Sequence, residues 1–181
     1  MSKNRTEQPN IASSKIDVLE IDEIFVFGSN LAGHHKGGAA RAANMKFGAE
    51  WGVGVGLTGH AYAIPTMQGG VETIKPYVDE FIEFAKAHSE LKFLVTRIGC
   101  GIAGFKDEQI APLFQKALSV FNIYLPKEFY EIIVAPYLAH CFYYGKNVPE
   151  NCGAHVGHMY EECWVRFHFN EYDYLLNETL Y

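Results

Sequence analysis

Two apolar segments, each followed at once by a glycine-rich turn and then by a helical pattern, most constrain the fold of this chain. Residues 25–27 lead through residues 28–30 and a short loop to Gly-Gly-Ala-Ala at residues 37–40, and residues 93–98 lead into residues 99–105. Glycine lets a backbone approach a ligand closely, and a helix amino terminus favours an anion. The pair predicts two walls of one cleft for a phosphate-bearing ligand. The alternative is two tight turns that only connect elements.

Strand and helix patterns alternate along the chain. They predict strands at residues 21–27, 61–64, 91–98, 122–125 and 130–134, helices at residues 38–47, 73–89 and 107–119, and a loop at residues 49–60. Residues 73–89 have the clearest helical period, with Thr73 as the N-cap and Pro76 in the first turn. The alternation predicts an α/β fold with a partly parallel sheet and helices on both faces. Ligands of such folds bind at the carboxyl ends of the strands, where both glycine-rich turns lie.

The composition is typical of a soluble globular chain with one sizeable core. Its 181 residues are 49% apolar and 20% charged. A net charge of -6 argues against broad nucleic-acid or anionic-membrane binding, which needs a basic face. The sequence shows no membrane span or cleavable signal peptide, and its four cysteines indicate free thiols in a reducing, cytoplasmic compartment. The polar residues 1–14 predict a disordered tail.

Two motifs resemble those of macro domains, the family of ADP-ribose-binding modules. Residues 17–40, DVLEIDEIFVFGSNLAGHHKGGAA, are similar to the opening of a macro domain, where an Asp-Ile pair leads through a buried strand to an Asn and a glycine-rich loop. Residues 96–105, TRIGCGIAGF, resemble the second loop of the branch whose strand ends in Gly-Cys-Gly. The resemblance implies a three-layer α/β/α domain over residues 15–138. This domain would bind ADP-ribose or a related nucleotide, and no cofactor is expected.

The resemblance also implies roles for individual residues. Asp17 would meet the adenine amino group, Asn30 would face the distal ribose, and Phe105 would pack against that ribose. The two loops would line the ribose and wrap the diphosphate through backbone N–H groups. Their residues are Gly37, Gly38 and Ala39 in the first loop and Gly99, Cys100, Gly101, Ile102, Ala103 and Gly104 in the second.

Both catalytic arrangements of hydrolytic macro domains are missing from the matching positions. One type carries an aspartate after the first glycine loop, where this chain has Ala40. The other uses a lysine after the central strand and an aspartate in the second loop, and the corresponding positions fall near Thr66 and on Ala103. Either the protein binds without hydrolysing, or other residues act, with His35 and Lys36 as the candidates. The alternative for His-His-Lys at residues 34–36 is a plain exposed loop.

Four other side chains near the turns each allow two interpretations. Cys100, in a loop before a helix, would have a lowered pKa or would pack as a small buried residue. Arg97 would pair with a ligand phosphate or with a carboxylate of the fold. Trp51 and Tyr62 would offer a stacking surface or would fill the core.

An aromatic, acidic extension follows at residues 139–181, outside the resemblance. It contains a C-x2-H-x2-H-x4-C pattern formed by Cys152, His155, His158 and Cys163. Zinc takes four such ligands tetrahedrally, although the spacing matches no standard zinc finger. We favour a metal-free cap, because the aromatic residues around the pattern would bury enough apolar area to hold the segment.

Three classes of function stay open at this level. The first, which the sequence favours, is binding or processing of an ADP-ribose-like nucleotide. The second is a Rossmann-like nucleotide-processing hydrolase, because VFGSN and GLTGHAYAIPT are similar to phosphoribohydrolase segments. The Pro-Gly-Gly-x-Gly-Thr run of that family is missing here. The third is a non-enzymatic module whose aromatic carboxyl-terminal segment binds an unassigned protein partner.

Overall fold

The computed structural model describes the backbone of residues 9–143 and the side chains of residues 9–135. The chain divides into two units, Asn10–Val134 and the terminal segments Met1–Pro9 with Ala135–Tyr181, and the sheet belongs to the first. The elements are β1 (Ile11–Ala12), β2 (Glu23–Ser29), α1 (Gly38–Lys46), β3 (Gly56–Thr58), β4 (Ala61–Pro65), α2 (Val71–Ala87), β5 (Lys92–Val95), α3 (Asp107–Ile110), a 3-10 helix (Ala111–Ser119), β6 (Ile123–Pro126) and α4 (Lys127–Tyr143). None of the helices described is long and apolar enough to cross a membrane.

The six strands of the described region form one mixed sheet in the order β1-β6-β5-β2-β4-β3. Every neighbouring pair is parallel except β3 and β4, which form an antiparallel pair. Val26 of β2 lies opposite Val95 of β5 on one side and Tyr62 of β4 on the other. The predicted α/β fold with a partly parallel sheet is confirmed, and β5, β2 and β4 end at one edge of the sheet.

Apolar residues pack on both faces of this sheet, so the unit has three layers. Successive side chains of a strand point to opposite faces. Ile24 and Val26 therefore join the larger core, which also contains buried residues of α2, α3, the 3-10 helix and α4. Phe25 and Phe27 face the other way and pack in a smaller core against Ala40 and other residues of α1. The small side chains of α1 allow the helix to lie close to β2.

The second helix begins earlier than its sequence suggests. Gly70 is the N-cap of α2, and Pro76 lies inside the helix rather than in its first turn. The prediction of Thr73 as the N-cap is wrong. Its hydroxyl donates to the carbonyl oxygen of Gly70 at 2.7 Å, whereas an N-cap side chain accepts a bond from a backbone N–H.

A helical segment is present at residues 107–119, as predicted, but it consists of two parts with different helical geometry. It starts as α3 and continues from Ala111 as a 3-10 helix, with a proline at the start of the second part. Pro112 has no N–H and cannot donate to the carbonyl four residues back. The missing donor interrupts the α-helical hydrogen bonds where the two parts meet.

The prediction of a strand at residues 130–134 is wrong, because these residues belong to α4. A β-branched run at residues 132–134 favours a strand on propensity alone. However, Phe129 and Ile133 are four residues apart and both buried in the larger core. The Phe129 ring lies 5.7 Å from that of Phe114, so packing selects the helical period. The domain boundary predicted between residues 138 and 139 falls inside this helix.

Two further strands were not predicted. β3 lies within the segment expected to be a loop and pairs with β4. Its glycine-rich sequence does not favour a strand, so the pattern did not predict it. β1 lies within the predicted disordered tail, where Ile11 pairs with Leu125 of β6 and the Leu125 N–H donates to the Asn10 carbonyl at 2.9 Å. The tail prediction is therefore wrong at residues 11–12, while residues 1–8 lie outside the described residues. The aromatic cap and the metal-ligand pattern of Cys152, His155, His158 and Cys163 also lie outside them.

Candidate functional site

A cavity of about 390 Å³ lies at the carboxyl ends of β5, β2 and β4. Asn30 follows β2, Thr66 and Met67 follow β4, and Thr96 and Gly99 follow β5, and all five line the cavity. The structure thus brings both glycine-rich turns to one cavity. Sequence reasoning gave Met67 and Thr96 no role at a site, because Met67 stands two residues after the proline that closes β4 and Thr96 fell inside the predicted strand at residues 91–98.

The two turns approach each other so closely that a side chain at either contact would be tightly placed. A Cβ on Gly28 would lie 3.2 Å from the backbone nitrogen of Gly99. A Cβ on Gly37 would lie 3.0 Å from Cδ1 of Ile102. The first contact joins the turns at the sheet, and the second joins them at the tip of the second turn. Both turns therefore form walls of the same space.

The amino end of α1 presents backbone donors to the cavity. Gly37 is the N-cap and offers no side-chain bond, and the first turn contains no acidic residue. The first backbone bond is that of the Arg41 N–H to the Gly37 carbonyl at 3.1 Å. Within the described region, the N–H groups of Gly38, Ala39 and Ala40 have no acceptor. They are the positive end of the helix dipole, and all three residues line the cavity.

The second turn presents a matching set of donors. The Gly104 N–H bonds to the Gly101 carbonyl and the Phe105 N–H to the Gly99 carbonyl, both at 3.0 Å, which closes the turn. The N–H groups of Gly101, Ile102 and Ala103 have no acceptor among residues 9–143, and these three residues line the cavity. Gly101 has open space where a Cβ would stand.

Acidic side chains are absent from the described lining, which contains Lys36, Arg97 and His34. The Arg97 guanidinium is paired with two carboxylates of the fold, those of Asp107 and Glu128. Its Nε donates to Oδ1 of Asp107 at 3.0 Å, its Nη2 donates to the other carboxylate oxygen, and its Nη1 lies 3.7 Å from Glu128. The Asp107 carboxylate raises the pKa of Arg97 above its usual value. The carboxylate interpretation of Arg97 is confirmed, and Lys36 forms no ion pair with another described residue.

The His-His-Lys segment divides into exposed and buried residues. His34 and Lys36 are exposed and line the cavity. His35 is buried, with Nε2 3.0 Å from the Glu50 carbonyl oxygen and its ring edge-on to Phe27. The exposed-loop interpretation is therefore wrong for His35. As a catalytic candidate, His35 is also not among the described residues that line the cavity.

Asn30 holds the first loop in shape. Its Nδ2 donates to the His34 carbonyl, and its Oδ1 accepts the His34 N–H, both at 3.0 Å. This brace fixes the backbone between the end of β2 and the His-His-Lys segment. Asn30 also lines the cavity, where the resemblance places the distal ribose.

The structure does not bring Asp17 to the cavity. The Asp17 carboxylate lies 2.9 Å from the amino groups of both Lys15 and Lys46. Hydrogen bonds from these lysines lower the pKa of Asp17 to about 2. Lys46 is the last residue of α1, whereas the cavity lies at the amino end, about 12 Å away along the helix axis. The adenine contact implied by the resemblance has no support from these contacts.

Three residues of the second turn are not among the described residues that line the cavity. They are Cys100, Gly104 and Phe105. Phe105 packs against the larger core, and a Cβ on Gly99 would lie 3.3 Å from its ring. The turn therefore presents its tip, residues 101–103, to the cavity.

Of the two aromatic residues with open interpretations, Tyr62 fills the core and Trp51 does not. Tyr62 is buried between Phe81 and Phe84, with both ring centroids at 5.1 Å, and burial raises its pKa to about 12. Trp51 is 54% exposed and stacks on His34, with ring centroids 5.3 Å apart.

Cys100 is a free thiol that lies partly buried against the larger core. Burial raises its pKa to about 12, and the Asp107 carboxylate adds to the effect. The lowered pKa considered for this residue is therefore wrong. Its Sγ donates weakly to the Ile98 carbonyl at 3.4 Å.

We expect Cys100 to react with iodoacetamide at pH 8 roughly 1,000-fold more slowly than an unperturbed cysteine, because only the thiolate is nucleophilic. Peptide mass spectrometry of timed samples gives the rate for the Cys100 peptide. The rate should rise about tenfold per pH unit from pH 8 to 11, where the thiolate fraction does so. A rate at pH 8 equal to that of glutathione would show that the pKa of Cys100 is not raised.

Comparison of the chain with protein-family models, with curated proteins and with solved structures found no match in any of the three. The function is therefore argued from the geometry of the site and from the motifs of the sequence.

Proposed function

We propose that this chain binds ADP-ribose or a closely related nucleotide as a macro-domain-like module and does not hydrolyse it. One observation carries the proposal. Two sets of backbone N–H groups without acceptors in the described region, at residues 38–40 and 101–103, line one cavity. The described lining contains no carboxylate that would repel an anion.

A diphosphate suits this arrangement better than a neutral ligand. Backbone N–H groups at a helix amino terminus or in a turn bind phosphate oxygens well, because they are fixed donors of partial positive charge. Two sets of donors on the lining of one cavity provide for two linked phosphate groups. Lys36, at the same cavity, adds a full positive charge that has no partner among the described side chains.

The remaining lining fits the sugar part of a nucleotide. Asn30 and Thr66 bring polar side chains, and Ile102 and Met67 bring exposed apolar surface. A volume of about 390 Å³ lies within the usual range of small-molecule sites. The three-layer arrangement and the order of the two motifs are what the macro-domain resemblance implies.

Calorimetric titration with ADP-ribose, AMP and NAD tests this proposal and its alternatives. We expect saturable binding of one ADP-ribose per chain and weaker binding of AMP, which offers one phosphate group to two sets of donors. Absence of heat with all three ligands at millimolar concentration would contradict the proposal and favour a protein-interaction module. Release of free base from AMP would instead indicate a nucleotide-processing hydrolase.

We expect no measurable turnover of ADP-ribosyl-aspartate, ADP-ribosyl-glutamate or O-acetyl-ADP-ribose. Ala40, Thr66 and Ala103 all line the cavity at the positions implied for catalytic groups. None of these side chains serves as a general base near neutral pH. Chromatography of reaction mixtures should show product at the rate of buffer alone, while calorimetry on the same sample shows binding. Turnover that disappears in Lys36→Ala would contradict this expectation and assign catalysis to Lys36.

A further inference from the structure

Trp51 and His34 form an exposed aromatic pair at the edge of the cavity. Their rings are stacked, with centroids 5.3 Å apart and planes inclined by 25°. His34 lines the cavity, whereas Trp51 is not among its described lining residues, so the stack leads outward from the cavity. A tryptophan that is 54% exposed leaves a large flat apolar face in water.

Hydrogen bonds hold the backbone segments that carry both rings. Asn30 bonds both the N–H and the carbonyl of His34. The Gly52 N–H, next to Trp51, donates to the Gly33 carbonyl, next to His34, at 3.0 Å. The edge of the buried His35 ring also meets Trp51, with centroids 6.4 Å apart. The pair is therefore formed before any ligand arrives, which lowers the entropic cost of binding to it.

A nucleotide also needs a binding surface for its base. The residue that the macro-domain resemblance implies for the base, Asp17, does not lie at the cavity. Asp17 is held by two lysines at the far end of α1. Among the described lining residues, the imidazole of His34 is the one aromatic ring, and the Trp51 ring stacks on it. A flat ring that leaves the cavity beside His34 meets a preformed aromatic surface.

We propose that Trp51 and His34 form the stacking surface for the nucleobase of the ligand whose phosphates the cavity binds. This inference rests on the proposed function. Stacking on aromatic side chains tolerates any base, because every base has a π face. The site should therefore select for phosphates and ribose and discriminate weakly among bases, so that ADP and GDP bind within about threefold of each other.

The fluorescence of Trp51 tests the proposal directly. The chain has two tryptophans, Trp51 and Trp164, so Trp164→Phe leaves Trp51 as the single indole. We expect saturating ADP-ribose to quench the emission of this variant strongly. Unchanged emission, together with calorimetric binding equal to wild type, would overturn the stacking surface and leave the proposed function standing. Calorimetry without binding of any nucleotide would overturn the proposed function and this inference with it.

A substitution series measures how much the surface contributes. Trp51→Ala should weaken ADP binding by roughly 5- to 150-fold, the range that loss of one aromatic stacking partner produces. Trp51→Phe should recover part of that loss, because it keeps a ring. Phe121→Ala is the matched control, since Phe121 is 71% exposed and is not among the described residues of the cavity. ADP affinity in Trp51→Ala equal to that of this control would overturn the proposal.

Discussion

Gly101→Glu should weaken ADP-ribose binding by about 100-fold or more while the melting temperature stays within about 2 °C of wild type. The new carboxylate would stand at the tip of the second turn, among the N–H groups that would face the diphosphate. Like charges brought together in a binding site cost several kcal/mol. The fold should tolerate the change, because a Cβ at this position meets nothing within 4 Å and exposed substitutions rarely change stability by more than about 0.5 kcal/mol. Calorimetry and thermal unfolding on the same sample give both results.

Two substitutions at the same position separate charge from size. Gly101→Gln has nearly the shape of the glutamate without its charge and should lose far less affinity. Gly101→Ala should bind within about threefold of wild type, because the position is open. Equal affinity in Gly101→Glu and wild type, with native circular dichroism, would show that the second turn only connects β5 and α3.

Gly54→Ala should cost both stability and binding. A Cβ on Gly54 would lie 2.1 Å from the Asn30 carbonyl oxygen and 2.7 Å from that of Leu31. Both obstacles are backbone atoms, so the first loop must move. The Ser29 hydroxyl, which donates to the Gly54 carbonyl, would also lose its alignment. We expect a loss of about 3 kcal/mol, the upper end of what overpacking usually costs, and at least tenfold weaker ADP-ribose binding through displacement of Asn30.

Thermal or urea unfolding of Gly54→Ala beside Gly101→Ala provides the comparison. Neither glycine has a positive φ, but only Gly54 is enclosed by backbone. Loss of stability in Gly54→Ala alone would confirm that the contact between the two segments shapes the first loop. Equal stability of the two variants would show that this loop is not braced through Gly54.

The parts of the site that follow local backbone rules could be predicted from the sequence. Both glycine-rich turns stand directly after apolar strands, so their place at the carboxyl ends of parallel strands followed from the alternation of elements. The contact partners could not be predicted, because they depend on tertiary packing. Asp17 resembles an adenine ligand in sequence, yet Lys15 and Lys46 hold it at the other end of α1. His35 lies between two exposed residues and is buried.

Errors in the predicted elements have the same cause. The run at residues 132–134 has the β-branched composition of a strand, but the burial of Phe129 and Ile133 on one face requires a helix. β1 has two residues and pairs with β6, which is far away in sequence. A strand this short has no local sequence pattern from which it could be predicted. Arg97 allowed two interpretations because a guanidinium binds phosphate and carboxylate alike, and the fold supplies Asp107 ten residues later.

An amide NMR titration shows whether both turns donate their N–H groups to one ligand. With ¹⁵N-labelled protein and ADP-ribose, the amide signals of Gly38, Ala39 and Ala40 and those of Gly101, Ile102 and Ala103 should shift together. Both sets should report the same dissociation constant, and Asp17 should stay unchanged. Shifts confined to one of the two turns, or shifts of the two sets with different dissociation constants, would show that the two turns do not bind one ligand together.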